Sequence, residues 1–220
     1  DCAKVLKWES NYFLIPKLLS NKNMNQTSSR YTTIYTESNP NPNSLKYVIN
    51  YMLVPDGTTF DFPDAEAAKQ SPLAAELFQK FDFVERVFMM SNFVTVTKNE
   101  IASWHDVAGA IKEFLQEYLE SQKPLLTKEI QNEYDKELNK NEPEIDRKIK
   151  GILEEYVRPA VESDGGAINF HSFENGTVKV LLQGACSGCP SSMITLKQGI
   201  ENLLKRMLPE DVQEVVAEGV

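Results

Sequence analysis

Two cysteines three residues apart, Cys186 and Cys189, are the residues of this chain best suited to chemistry. They lie in the stretch Gly184-Ala185-Cys186-Ser187-Gly188-Cys189-Pro190. Thiolates at this spacing bind soft metals or exchange disulfides. Gly184 and Gly188 strip side chains from the loop, so the backbone can close around a bulky inorganic core. An iron–sulfur cluster is usually held by four thiolates, and this loop supplies two. Two copies of the chain are therefore expected to share one cluster, close to a two-fold axis. A site half-built by each copy gives up its cluster readily, as a carrier must.

Such a pair needs elements that present it. Thr177 to Gln183 reads as a strand, with Val178, Val180 and Leu182 facing inward. Beyond Pro190, which suits a first helical turn, the residues Met193, Ile194, Leu196, Ile200, Leu203, Leu204 and Met207 form an apolar helix face. The helix N-terminus brings unpaired N–H groups and partial positive charge to the cysteines, and both favour thiolate. Upstream, Ile145, Ile149, Ile152, Leu153, Tyr156, Val157 and Ala160 mark a helix, with Pro159 expected to bend its last turn. Asp164-Gly165-Gly166 is a turn, Ala167 to Phe173 a strand, and Asn175-Gly176 a tight hairpin. Val212 to Ala217 reads as a last strand. The order is helix, strand, strand, helix, strand.

A second region precedes this one. Arg30 to Thr36 and Leu45 to Leu53 read as strands around the turn Asn39-Pro40-Asn41-Pro42-Asn43. Phe62 to Gln70 suggests a short helix. Ser71 and Pro72 open another, with Leu73, Leu77, Phe78 and Phe81 on one face. Phe83 to Met90 and Asn92 to Lys98 form a hairpin turning at Ser91-Asn92. Ser103 is expected to cap a long helix whose stripe is Val107, Ala110, Ile111, Phe114, Leu115, Tyr118 and Leu119. The fold class is therefore α+β, in two small domains: 27–122 and 145–220. Residues 1–26 read as a leader or extension expected to be disordered, and 123–144 as a charged connector that lets the domains move. A native start near Met24 and a cytoplasmic location are the expectation.

Composition narrows the function. A net charge of -9 and a pI near 4.9 disfavour nucleic-acid binding. No apolar run reaches the ~20 residues of a membrane span. Three cysteines in all do not suggest a secreted disulfide framework. Cys2 stands alone and reads as incidental. His105 and His171 read as surface residues, with His171 on the face opposite Ile168 and Phe170. Trp104 and Met89-Met90 read as packing residues. No catalytic triad, phosphate loop or paired-carboxylate site stands out, so the chain does not read as an enzyme. Two other uses of the Cys pair stay open: a thiol–disulfide oxidoreductase, and a structural zinc site bridging a dimer.

The stretch from Asp164-Gly165-Gly166 through the hairpin to Cys186, Cys189, Ser191 and Ser192 resembles the C-terminal domain of the NifU/Nfu family, over about residues 146 to 218. The Pro72-Leu73-Ala74 helix, the Phe93-to-Thr97 strand and the Trp104 helix resemble, more loosely, the N-terminal domain of Nfu proteins. The resemblance implies an iron–sulfur cluster assembly and carrier protein. It implies a [4Fe–4S] cluster, or a [2Fe–2S] cluster, held by Cys186 and Cys189 of a homodimer. It also implies upstream assembly machinery as donor and client apo iron–sulfur proteins as acceptors. The further scaffold cysteines of longer NifU proteins are absent, so the chain resembles the shorter Nfu type.

Overall fold

Strand-forming runs broken by Asn, Pro and Gly turns, and two long amphipathic stripes, give an α+β architecture with two sheets. The computed structural model describes residues 31–130, 143–187 and 190–219, apart from the side chains of 190–192. The proposed leader with Cys2, most of the charged connector, and Cys189 lie outside the described residues.

The first sheet has the order β1-β2-β5-β4-β3, formed by β1 (Ile34–Ser38), β2 (Ser44–Ile49), β3 (Thr59–Phe62), β4 (Val84–Met90) and β5 (Phe93–Lys98). Every pairing in it is antiparallel. One face packs on α1 (Pro72–Lys80) and α2 (Trp104–Glu120), and Tyr47, Phe62, Leu73, Leu77, Met89 and Leu115 fill the space between. Ser71 caps α1 as expected: its hydroxyl accepts from the Ala74 N–H at 3.1 Å and donates to the Leu125 carbonyl at 2.6 Å. Leu126, at the start of the charged segment, is buried in this same core.

Several expectations shift here. Thr59–Phe62 is a strand, and the helix expected over 62–70 shrinks to one 3₁₀ turn at Ala67–Gln70. Strand β2 stops at Ile49; at Asn50 the backbone N–H donates to the Thr33 carbonyl while the side chain accepts from the Thr33 N–H and donates to the Tyr31 carbonyl. Ser103 occupies the N-cap of α2 but makes no side-chain cap bond. Ala110 is exposed, while Ile111, Phe114, Leu115, Tyr118 and Leu119 are buried as expected.

The second sheet has the order β6-β7-β8, with β6 (Gly166–Glu174) antiparallel to β7 (Thr177–Gly184). The parallel partner β8 (Glu214–Gly219) is reached through the crossover helix α5 (Pro190–Met207). Asn175 and Gly176 both take positive φ, 49° and 81°, as a tight hairpin turn requires. A bulge between Phe170 and Ser172 leaves His171 outside the ladder and exposed, so strict alternation along β6 breaks there.

The helix entering this half carries the clearest departure. It runs as α3 (Glu144–Ile152), a π-helical turn (Leu153–Val157) and α4 (Arg158–Ser163). The Arg158 N–H reaches back to the Leu153 carbonyl, five residues away. Pro159 lacks the N–H that would bond Glu155, and the helix widens one turn before it. A wider turn delays the rotation of the buried face. Ile149, Leu153, Val157 and Val161 are therefore buried, while Tyr156 is 51% exposed and Ala160 faces solvent. On α5, Ile200 and Leu204 are buried, but Ile194 and Met207 of the expected stripe stand exposed.

The two halves meet. The first sheet turns Val48, Phe88, Met90 and Phe93 away from its helices and onto Ala167 of β6. Both faces of that sheet are thus covered, which explains why Val87-Phe88-Met89-Met90 is apolar at both parities. Among the described residues no helix is long and apolar enough to cross a membrane.

Candidate metal centre

Strand β7 aims its C-terminal end at the loop, and α5 begins at Pro190, so the loop bridges strand and helix as the sequence predicts. Gly184 ends the strand with φ +63°. A side chain there would sit 2.8 Å from both the Gly165 carbonyl and the Phe88 ring. The chain then turns through Ala185, Cys186 and Ser187, closed by the Ser187 N–H donating to the Gly184 carbonyl at 3.2 Å.

Cys186 is 3% exposed and belongs to the second core, packed with residues of α3 to β8. Its sulfur lies over Gly166. A Cβ on that glycine would fall 2.7 Å from Sγ, 3.1 Å from the Cys186 nitrogen and 2.6 Å from the Gln183 carbonyl. Gly166 therefore does more than help reverse the chain: it vacates the space the sulfur fills, while Gly165 leaves room for Thr95 of the first half. The structure places Cys186 in the loop between strand and helix. Cys189, its proposed co-ligand, falls outside the described residues, immediately before Pro190. Among the described residues no group of three or more His, Cys, Asp and Glu side chains is arranged to hold a metal.

Residues from the first half reach the same loop. Asn41 donates from Nδ2 to the Ala185 carbonyl at 3.1 Å, and Thr95 Oγ1 donates to the Gly165 carbonyl at 2.7 Å. Lys46 is 8% exposed. Its Nζ donates to the Glu162 carbonyl at 2.9 Å, pairs with Glu37 at 3.1 Å and lies 4.5 Å from the Phe93 ring centre. Asp61, from β3, lies beside Gly184. Burial lifts its carboxyl to about 6, against the opposing pull of Arg86, paired at 2.8 Å, and of the Gly184 and Phe62 N–H groups. Its Oδ1 closes no hydrogen bond. At the rim Arg158 bonds Glu154, Glu162 and, across the boundary, Asp56 at 2.9 Å. Sequence reading missed all of these as neighbours of the loop. Only Asn41 carried a local signal, its place in an Asn-Pro turn.

Comparison with known proteins bears on what this loop is for. Residues 34–122 match a family model described as scaffold protein Nfu/NifU N terminal, and residues 149–216 match the NifU-like domain. A relative from Drosophila persimilis, described as an NFU1 iron-sulfur cluster scaffold homolog, mitochondrial, is 39% identical over 196 residues, covering 89% of this chain and 69% of its own length. The chain belongs to the Nfu/NifU family. The homolog of the same description from Drosophila willistoni is 40% identical over 177 residues. That Nfu/NifU match covers 80% of this chain and 61% of the relative, so the chain spans roughly two thirds of the length of such relatives. A NifU-like protein from Saccharomyces cerevisiae, solved in solution, aligns with 50% of this chain and 96% of its own at 24% identity and a TM-score of 0.42.

Proposed function

We propose that this Nfu/NifU chain is a scaffold and carrier that holds an iron–sulfur cluster through Cys186 and Cys189 of two copies and passes it to client apo-proteins. The supporting observation is the C-x-x-C loop between β7 and α5, inside the segment that matches the NifU-like domain. The donor chemistry fits: thiolates are the usual ligands of these clusters, and glycines keep the loop free of bulk. With two thiolates per copy, the third and fourth ligands require a second chain; four thiolates serve a [4Fe–4S] or a [2Fe–2S] core alike, and the [4Fe–4S] core is the one the family resemblance puts first. Residues 27–122 and 145–220 act as its two domains, joined by the charged segment.

Transfer proceeds by ligand exchange. A client thiolate takes the place of Cys186 or Cys189 on an iron, and the released cysteine recovers its proton or meets the next cluster. The upstream assembly machinery supplies the cluster by the reverse exchange. The relatives are named as mitochondrial proteins, and we infer the same compartment for this chain in place of the cytoplasm expected from its sequence. The test is anaerobic reconstitution of Cys186→Ala and Cys189→Ala. Each variant should lose the absorbance near ~400 nm that marks the cluster while keeping the parent's circular dichroism. A double variant that still binds a full cluster overturns the assignment; zinc bound in preference to iron, or disulfide reductase activity in metal-free protein, supports a rival reading instead.

A further inference from the structure

Cys186 is turned inward. A cluster ligated by its sulfur needs that sulfur at the surface, where a second copy can approach. The loop must therefore open, and the structure shows what holds it shut.

Three main-chain carbonyls around the loop are held by side chains of the first half. Asn41 holds Ala185, directly before the cysteine. Thr95 holds Gly165, whose carbonyl also accepts the Ala185 N–H at 3.3 Å. Lys46 holds Glu162 at the end of α4. The Phe88 ring closes on Gly184, leaving no room for a side chain there. These contacts grip the backbone on both sides of the ligand loop, and they come from one sheet face and its adjoining turn.

The grip is imperfect. Among the described residues two buried side-chain atoms lack hydrogen-bond partners, Asn39 Nδ2 and Asp61 Oδ1. Asn39 Nδ2 lies 3.5 Å from where a Cβ on Gly165 would sit, and Asp61 lies beside Gly184. Both border this contact. The Asp61 carboxylate also accepts the Gly184 N–H across the boundary, while its Oδ1 and Asn39 Nδ2 close no bond. A contact with specific bonds and unmet polar atoms suits a surface that closes and releases.

We propose that the first half is a latch: its sheet face clasps the loop backbone and keeps Cys186 in the core, and it must let go before a cluster can be bound. This rests on the reading of Cys186 as a ligand. It extends that reading by assigning the N-terminal half a role in deciding when the site is available.

The test uses the metal-free 220-residue chain carrying Cys2→Ser and Cys189→Ser, in which Cys186 is the one remaining thiol of these 220 residues, and iodoacetamide as the probe. The parent should react at least about tenfold more slowly than a small-molecule thiol, because reaction waits on opening. Thr95→Val removes one clasping bond without changing side-chain shape, and should raise the rate about tenfold. Asn41→Ala should do the same, and Thr95→Ser, which keeps the hydroxyl, should match the parent. Lys46→Met, which removes the third clasping bond, to Glu162 at the end of α4, should shift the rate in the same direction and carries the test if Thr95→Val fails to fold.

A parent that reacts like a small thiol overturns the proposal. So do clasp variants within twofold of the parent, or Thr95→Ser as fast as Thr95→Val. No iron enters the assay, so its outcome is separate from that of the cluster-binding test.

Discussion

Replacing Gly166 by alanine probes the packing around Cys186 directly. No positive φ is involved at this glycine, so the effect is one of space alone. The added carbon would meet the Gln183 carbonyl at 2.6 Å, the Cys186 sulfur at 2.7 Å and the Cys186 nitrogen at 3.1 Å. Two of these three are backbone atoms of the strand end and the Cys186 loop, which cannot swing aside as a side chain would. Overfilling a packed site costs about 1–3 kcal/mol. Gly→Ala gives back about 0.4–1 kcal/mol by stiffening the unfolded chain. The net loss is about 1–2 kcal/mol, or about 5–15 °C in the unfolding midpoint of a domain this size. Gly199 supplies the contrast, since it is exposed in α5 with no atom within 4 Å of a would-be Cβ. Gly199→Ala should gain about 0.5–1 kcal/mol. Thermal unfolding followed by circular dichroism reads both. A Gly166→Ala midpoint equal to or above the parent's would refute the close packing of sulfur on this glycine.

Other outcomes follow from the same geometry. Leu204→Ala, at a fully buried position of the second core, should cost about 2–5 kcal/mol in urea unfolding. Ser71→Ala should cost about 1 kcal/mol through the lost cap of α1, and the broken bond to Leu125 should add to that loss. Asp61 carries a pH signature: its native value of about 6 lies above the ordinary 3.8, so the folded state holds the proton more tightly than the unfolded one. The stability this proton supplies is fully present below about pH 3.8 and is lost as pH rises through about 6. Relative to Asp61→Asn, the parent should lose about 3 kcal/mol across that window, read as urea midpoints at the two ends. A flat difference would deny the burial of the carboxylate.

What could be read from the sequence was what is local. The Ser91-Asn92 and Asn175-Gly176 reversals are set by two residues each, and both hairpins lie where turn chemistry puts them. The phase of the helix beyond Leu153 was not legible, because a proline's effect on the turn before it shifts every later residue. Strand β3 was missed because Asp61 interrupts a short run, and only its burial beside Arg86 explains a carboxylate there. The sheet's second covered face did have a signal, the apolar run at both parities in β4, but its partner could not be named from the run itself. At the candidate site, the spacing of Cys186 and Cys189 carries the proposal, and of the two only Cys186 lies among the described residues, in the loop between β7 and α5. The clasp was not: Thr95 and Asn41 lie 70 and 144 residues in sequence from the carbonyls they hold.

The central claim concerns how many chains complete one cluster. Native mass spectrometry of the anaerobically reconstituted protein counts chains, iron and sulfide in a single particle. The account predicts particles of two chains carrying about four irons and four sulfides, dissociating to single chains when the cluster is removed. A single chain carrying a whole cluster, with no external thiol bound, would contradict it.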